Sequence, residues 1–143
     1  ACDLIVASNT AKFGLPEAKR GLVPGSGGML RFSHRVPYAI AMEFLLTGDM
    51  LSSQRAYDLG LVNHLVEPGQ ALEAALALAD KIAANGPLAL QVIKQVVNEA
   101  RTWSDQDMFA LQQPRMQHIF TSEDAKEGAT AFAEKREPVW KGR

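Results

Sequence analysis

A single cysteine, Cys2, rules out an internal disulfide and fits a reducing, cytoplasmic setting. Neither sign of charge is in excess: 15 basic and 16 acidic side chains leave a formal net charge of −1. That balance offers no basic patch for nucleic acid or an anionic membrane surface. No apolar run approaches the roughly 20 residues that span a bilayer, and the charged-then-apolar order of a signal peptide is missing. The three histidines, His34, His64 and His118, are far apart, and none stands four residues from another. Zinc-type spacing is therefore absent and no metal is expected. "GSGG" around Ser26 is not a nucleophile elbow and carries no P-loop lysine. It also fails to place the third glycine of a dinucleotide fingerprint.

What is present suffices for a core. Hydrophobic residues make up 47% of the 143, an ordinary globular fraction for one modest domain. Residues 1–68 mix short strand-like runs, glycine turns and helices, whereas residues 69–143 read as nearly all helix. "LIV" at 4–6 reads as a strand buried on both faces, with Cys2 as inert packing at its edge. Such a strand needs neighbours on both edges. Few later runs read as strands, "LVNHLV" at 61–66 among them. With no Met and no lead-in at the start, the expectation is the C-terminal part of a longer protein, whose other part carries most of a sheet.

The helices follow from caps and periodicity. Ser26 is placed to cap a helix entering at "GGMLRFS". Pro37 and Gly48 bracket "PYAIAMEFLLTG" as first helical position and stop, and its apolar content predicts a well-buried helix. Ser52 or Ser53 caps the next, ended by Gly60. Residues 70–84 carry an apolar stripe of Leu72, Ala75, Leu76, Ala79, Ile82 and Ala83. Pro87 opens a helix with Leu90, Ile93, Val96, Val97 and Ala100 as its stripe. A further helix spans Ser104 to His118, kinked or split by Pro114. The last starts at Ser122, with Glu123 and Asp124 where the helix dipole favours acids. One sheet edge cannot take so many partly apolar helices, so packing against another subunit is expected.

The segment at 15–28, "LPEAKRGLVPGSGG", concentrates backbone control around one carboxylate. Five of the 11 glycines and two of the seven prolines fall between Gly14 and Gly28. Pro16 fixes its own φ and biases Leu15 toward extended backbone, so Glu17 is aimed rather than left to sample solvent. An aimed carboxylate in an apolar setting, here Leu15, Leu22 and Val23, suits general acid–base work. The "PGSGG" turn presents backbone N–H groups that favour an anion, a carbonyl or a bound water. The plain alternative, an acidic residue on a surface turn, stays open on these grounds.

Three separated blocks resemble one family. "ACDLIVAS…FGLPEAKRGLVPGSGG" looks like the central signature of the crotonase superfamily, and of its enoyl-CoA hydratase/isomerase family. "LTGDMLSSQRAYDLGLVNHLV" resembles that family's next block, and "EDAKEGATAFAEKREPVWKGR" its C-terminal helix. The ending "EPVWKGR" is similar to the carnitinyl-CoA dehydratase branch. The resemblance runs along essentially the whole chain, in order.

It implies an α/β fold. Residues 1–68 would be the C-terminal part of a spiral of ββα turns with the catalytic loop. Residues 69–143 would be a helical trimerisation and CoA-contacting region. The implied reaction adds water across a 2-trans-enoyl-CoA, with no cofactor beyond the coenzyme A of the substrate. Glu17 matches the glutamate that transfers a proton at the substrate's second carbon, and Gly25, after Pro24, the glycine whose N–H orients the water. Phe132 and Lys135 match residues that meet the CoA adenine and phosphates of a neighbouring subunit; a core Phe and a solvated Lys are the alternative. The implied partners are an acyl-CoA thioester and identical subunits, in a homotrimer or a dimer of trimers. The family's other glutamate and both oxyanion donors would precede Ala1, so residues 1–143 alone are expected to be inactive. Isomerases of the superfamily can keep a glutamate at the Glu17 position alone, so isomerase remains an alternative, as does a dehydratase. A non-catalytic paralogue serving as an assembly or binding module is the third.

Overall fold

The computed structural model describes residues 2–143, which form two compact units divided between Leu78 and Ala79. The first unit carries four short strands: β1 (Val6–Ser8), β2 (Lys12–Phe13), β3 (Leu51–Ser52) and β4 (His64–Val66). β1 pairs in parallel with β4, Val6 opposite His64 and Ser8 opposite Val66. β2 pairs antiparallel with β3, Phe13 opposite Leu51. Between them lie α1 (Gly28–Ser33), α2 (Tyr38–Thr47) and α3 (Ser53–Asp58). α4 (Ala71–Ala83) follows β4.

The strand expected at 4–6 starts later. Leu4 is exposed, and Cys2 is exposed as well rather than packed. Asn63 is the cause: its Oδ1 accepts the Ile5 N–H at 2.8 Å and its own N–H donates to the Ile5 carbonyl at 2.8 Å. That side chain takes the place of a strand partner, so the ladder opens only at Val6. Leu61 and Val62 also leave the expected strand. Their N–H groups donate to the Ala56 carbonyl at 2.9 and 3.2 Å, finishing α3, while their side chains are buried. β2 and β3 are two residues each, too short for period-two alternation to announce them.

The core of this unit gathers Ala7, Phe32, Val36, Ala41, Phe44, Leu51, Ala56, Leu61 and Val62. The Phe32 and Phe44 rings sit 4.4 Å apart and tilted by 31°, joining α1 to α2. Ser52 is the cap of α3, accepting the Arg55 N–H at 3.2 Å. Ser53 does different work: buried, its Oγ donates to the Asn9 carbonyl at 2.6 Å, tying the β1–β2 turn to α3. Pro37 stands one place before α2 with extended backbone, at ψ 144°, and Gly48 ends that helix in the left-handed region as expected.

The second unit contains α5 (Pro87–Glu99), α6 (Met108–Met116) and α7 (Glu123–Glu134). α6 is shorter than expected. Ser104 and Asp107 form a turn ahead of it. Pro114, which cannot donate an amide hydrogen, lies inside it, and the chain tightens into a 3-10 helix at Gln117–Thr121. Arg115 braces this region, donating to the Leu111 carbonyl and to Glu99 while stacking 4.8 Å over Trp103. The apolar stripe of α4 is not a buried face: Leu72 is 72% and Leu76 57% exposed. On α5, Ile93 and Val97 are exposed too, beside an open apolar groove completed by Met116, Ile119 and Phe120. No helix among the described residues is long and apolar enough to cross a membrane.

Candidate active site

Glu17 lies in the first turn of a 3-10 helix, Pro16–Arg20. Leu15 before it, expected to be extended, stands at φ −131° and ψ 73°, outside the helical region that the following proline disfavours but short of fully extended backbone. Gly21 closes the turn in the left-handed region at φ 68°, where glycine pays no Cβ penalty. The Gly21 N–H donates to the Ala18 carbonyl at 3.1 Å and the Leu22 N–H to that of Glu17 at 3.0 Å. The turn is thus pinned at both ends. Glu17 Oε2 is shielded from solvent and has no hydrogen-bond partner among the described residues. A carboxylate oxygen so placed forfeits water without compensation, which is unfavourable unless something else meets it.

Gly48, buried at the end of α2, supports this turn from below. A Cβ there would stand 3.1 Å from Lys19 Cγ and 3.4 Å from Pro16 Cα, at a backbone φ of 64°. Lys19 Nζ also binds Asp49 Oδ1 at 2.6 Å. The hydrogen bond and charge of Lys19 hold the Asp49 carboxyl below its ordinary pKa. Gly48 therefore has a second duty beyond stopping its helix.

The glycine loop sits on the other side of Glu17 in sequence. Pro24 is buried and Gly25 exposed. The Gly25 carbonyl accepts the Gly27 N–H at 2.9 Å, and the Ser26 carbonyl accepts Arg31 Nη1 at 3.2 Å. Ser26 is not the helix cap. Gly27 takes that place at φ 81°, without a side-chain bond, because the left-handed turn brings the chain into α1 one residue later. Gly28 closes the loop: a Cβ there would meet Leu15 Cδ2 at 3.1 Å and Pro24 Cβ at 3.3 Å. Leu15 and Pro24, which flank Glu17 and Gly25, thus close on the same glycine.

Phe132 and Lys135 belong to the other unit, at the end of α7. Ser122 caps that helix, accepting the Ala125 N–H at 3.0 Å. Phe132 is 88% exposed, so it is no core residue. Lys135 ends the helix at φ 54°, the only non-glycine with positive φ among the described residues. Arg136 then binds Glu127 through both terminal guanidinium nitrogens, at 2.6 and 3.1 Å. That pairing, with the Val139 N–H at 2.8 Å, lowers the Glu127 carboxyl from its ordinary 4.5 to about 2. A depressed folded value means that the pair stabilises the fold above the ordinary value and stops doing so as pH falls toward 2. Glu127→Gln is therefore expected to lower stability at neutral pH, and the gap should close on acidification through that window. Urea midpoints measured across pH check this.

Residues 1–143 match the family described as enoyl-CoA hydratase/isomerase. The chain belongs to that family, within the crotonase superfamily. It is 43% identical, over 141 residues, to an enoyl-CoA hydratase, EchA19, of Mycobacterium tuberculosis; the match covers 99% of this chain and 53% of the relative. It is 42% identical, over 150 residues, to a carnitinyl-CoA dehydratase of Proteus mirabilis, covering 100% of this chain and 56% of that one. A solved enoyl-CoA hydratase structure from M. tuberculosis superposes with a TM-score of 0.96 at 60% identity, covering 99% of this chain and 56% of that one. The chain spans about half the length of the relatives it matches. The α/β crotonase fold inferred from three sequence blocks is the fold of these structures.

Of the family-derived site residues, Glu17, Pro24 and Gly25 share one loop, whereas Phe132 and Lys135 share one turn of the other unit. Sequence reasoning did not foresee that Gly48 and Asp49 lie against the Glu17 turn. Gly48 announced itself only as a helix stop; what rests against it is set by tertiary packing.

Proposed function

We propose that the whole protein is a cytoplasmic enoyl-CoA hydratase in which Glu17 is a general acid–base group. The observation that carries this reading is the shielded, unpartnered Glu17 Oε2 on a pinned turn. A substrate-side proton or an attacking water supplies the partner that this oxygen otherwise goes without. In hydration, the water oxygen bonds to the third carbon of the enoyl thioester as one of its protons passes to the family's other glutamate. The π pair of the double bond moves onto the thioester as an enolate, protonated Glu17 delivers its proton to the second carbon, and the proton taken from water returns to Glu17 to reset the site. Net, one hydrogen and one hydroxyl add across the double bond. The Gly25 N–H orients the water, with Pro24 stiffening the loop. The family's other glutamate and its oxyanion-hole N–H pair lie outside residues 1–143.

Phe132, exposed at the helix end, stacks on the CoA adenine, and Lys135 meets its phosphates. Both act on a neighbouring subunit's substrate, in a homotrimer or a dimer of trimers. The exposed apolar side chains of α4 and α5 support such packing. No cofactor is required, since coenzyme A is part of the substrate.

A second reading is dehydration of a carnitinyl-type thioester, favoured by the near-equal identity to the Proteus relative, 42% against 43%. Assays on the full-length protein separate the readings. Loss of the enoyl absorbance of crotonyl-CoA is expected. Turnover of carnitinyl-CoA alone would install the dehydratase, and conversion of a 3-enoyl-CoA without hydration the isomerase. No turnover and no acyl-CoA binding would leave a non-catalytic paralogue.

A further inference from the structure

The C-terminal strap, residues 136–143, folds back along one face of α7. Asp124, only 5% exposed, receives three hydrogen-bond contacts from it: the Lys141 N–H at 2.7 Å and the Gly142 N–H at 3.2 and 3.0 Å to its two oxygens. Its own N–H donates to the Arg143 carbonyl at 3.2 Å. One turn on, Glu127 takes Arg136 and the Val139 N–H. The Trp140 ring lies where a Cβ on Gly128 would meet it at 3.3 Å, and its Nε1 donates to the Ala84 carbonyl at 2.8 Å. Residues 124, 127, 128 and 131 share one helical face by spacing, and Ala131 is buried on it. Phe132 lies one residue round and stays exposed.

The reversal into the strap falls at Lys135. Left-handed backbone on a lysine is strained, and no side-chain hydrogen bond of Lys135 to the described residues relieves it. The Arg136 N–H donates to the Ala131 carbonyl at 3.1 Å, and the Arg136 side chain binds Glu127 and Glu134. Those bonds fix the turn immediately after Lys135. Six of the strap's eight residues are therefore latched to α7 or to Ala84, and the latch sets the direction from which Lys135 leaves the helix beside Phe132.

We infer that the strap is a positioning device for nucleotide recognition: latched by Asp124, Glu127 and Trp140, it holds Phe132 and Lys135 in the geometry that grips the adenosine bisphosphate end of a CoA thioester. This rests on the reading of Phe132 and Lys135 as CoA contacts. A merely structural strap would stiffen the protein without discriminating between the two ends of the substrate. A positioning strap affects the nucleotide end alone.

The test uses the full-length protein and its Trp140→Ala and Glu127→Ala variants, with Trp140→Phe as the conservative control that keeps a ring over Gly128. Titration calorimetry with adenosine 3′,5′-bisphosphate reads the nucleotide site without catalysis. Affinity is expected to fall about tenfold in the two alanine variants, the scale of a lost stacking or charged contact, and to be retained in Trp140→Phe. In kinetics, KM for crotonyl-CoA should rise by a similar factor with kcat unchanged, and crotonyl-pantetheine, which has no nucleotide, should be turned over as by the parent. Equal nucleotide affinity in parent and variants overturns the strap's role, as does no nucleotide binding by the parent. An equal loss on both thioesters does so too, even with lowered melting temperature. Failure of the hydratase reading shows separately, as a parent protein that binds the nucleotide yet hydrates neither thioester.

Discussion

Glu17→Gln in the full-length protein is expected to lower kcat for crotonyl-CoA hydration by about 10²–10⁴-fold, the usual contribution of a positioned acid–base group. The amide keeps the shape and volume of the carboxyl but cannot give or take the proton at the second carbon. The turn that holds it should survive, because its hydrogen bonds come from the backbone of Ala18, Gly21 and Leu22 and not from the Glu17 side chain. Folding stability should hold, since the shielded Oε2 has no hydrogen-bond partner among the described residues for the substitution to break. KM should change little, as the carboxyl reacts with the substrate's carbon skeleton and does not grip its nucleotide. Steady-state kinetics with a urea melt of the same sample decide it. A fall of less than about tenfold would remove Glu17 from the chemistry. A matching loss of stability would make it a packing residue.

The Glu17 loop was legible because proline and glycine act locally. Pro16 keeps its neighbour out of the helical region, and Gly21 takes a conformation that favours glycine, whatever else is nearby. Caps decided by one serine were legible for the same reason at Ser52 and Ser122. Ser26 failed as a cap because two glycines follow it, and the chain can delay helix entry by one left-handed residue at little cost. Asn63 defeated the strand reading in a different way: a side chain fifty-eight residues away in sequence occupies the Ile5 amide. Leu61 and Val62 are buried, as their apolar pattern requires, yet their amides serve a helix end. Hydrophobicity reports burial, and burial does not say which backbone partner is used. The stripe of α4 shows the converse. Its periodicity gives the helix correctly, but Leu72 and Leu76 stand in solvent because periodicity names a face and not what covers it.

Gly48→Val separates the site's support from the helix stop, provided that Gly60→Val is measured beside it. Both glycines hold left-handed backbone, at φ 64° and 73°, so valine strains both by a similar amount, about 1–3 kcal/mol of stability. The surroundings differ. A Cβ at Gly60 meets nothing within 4 Å, whereas one at Gly48 presses on Lys19 Cγ at 3.1 Å and reaches Pro16 Cα at 3.4 Å. Lys19 can swing away, since its side chain is 54% exposed. Pro16 cannot, because it is backbone in the turn that aims Glu17. The two added methyl groups of valine are expected to press on that turn. A displacement approaching 1 Å can cost about 10²-fold in rate. Gly60→Val is expected to melt earlier with kcat intact, and Gly48→Val to melt earlier and lose at least about tenfold in kcat, both read well below their melting temperatures. Equal kcat in the two variants would mean that the Glu17 turn does not rest on Gly48. On the proposed reading of Glu17 as the proton-transfer group and of Phe132 and Lys135 as the nucleotide contacts, the effect should also be carried by kcat and not by KM.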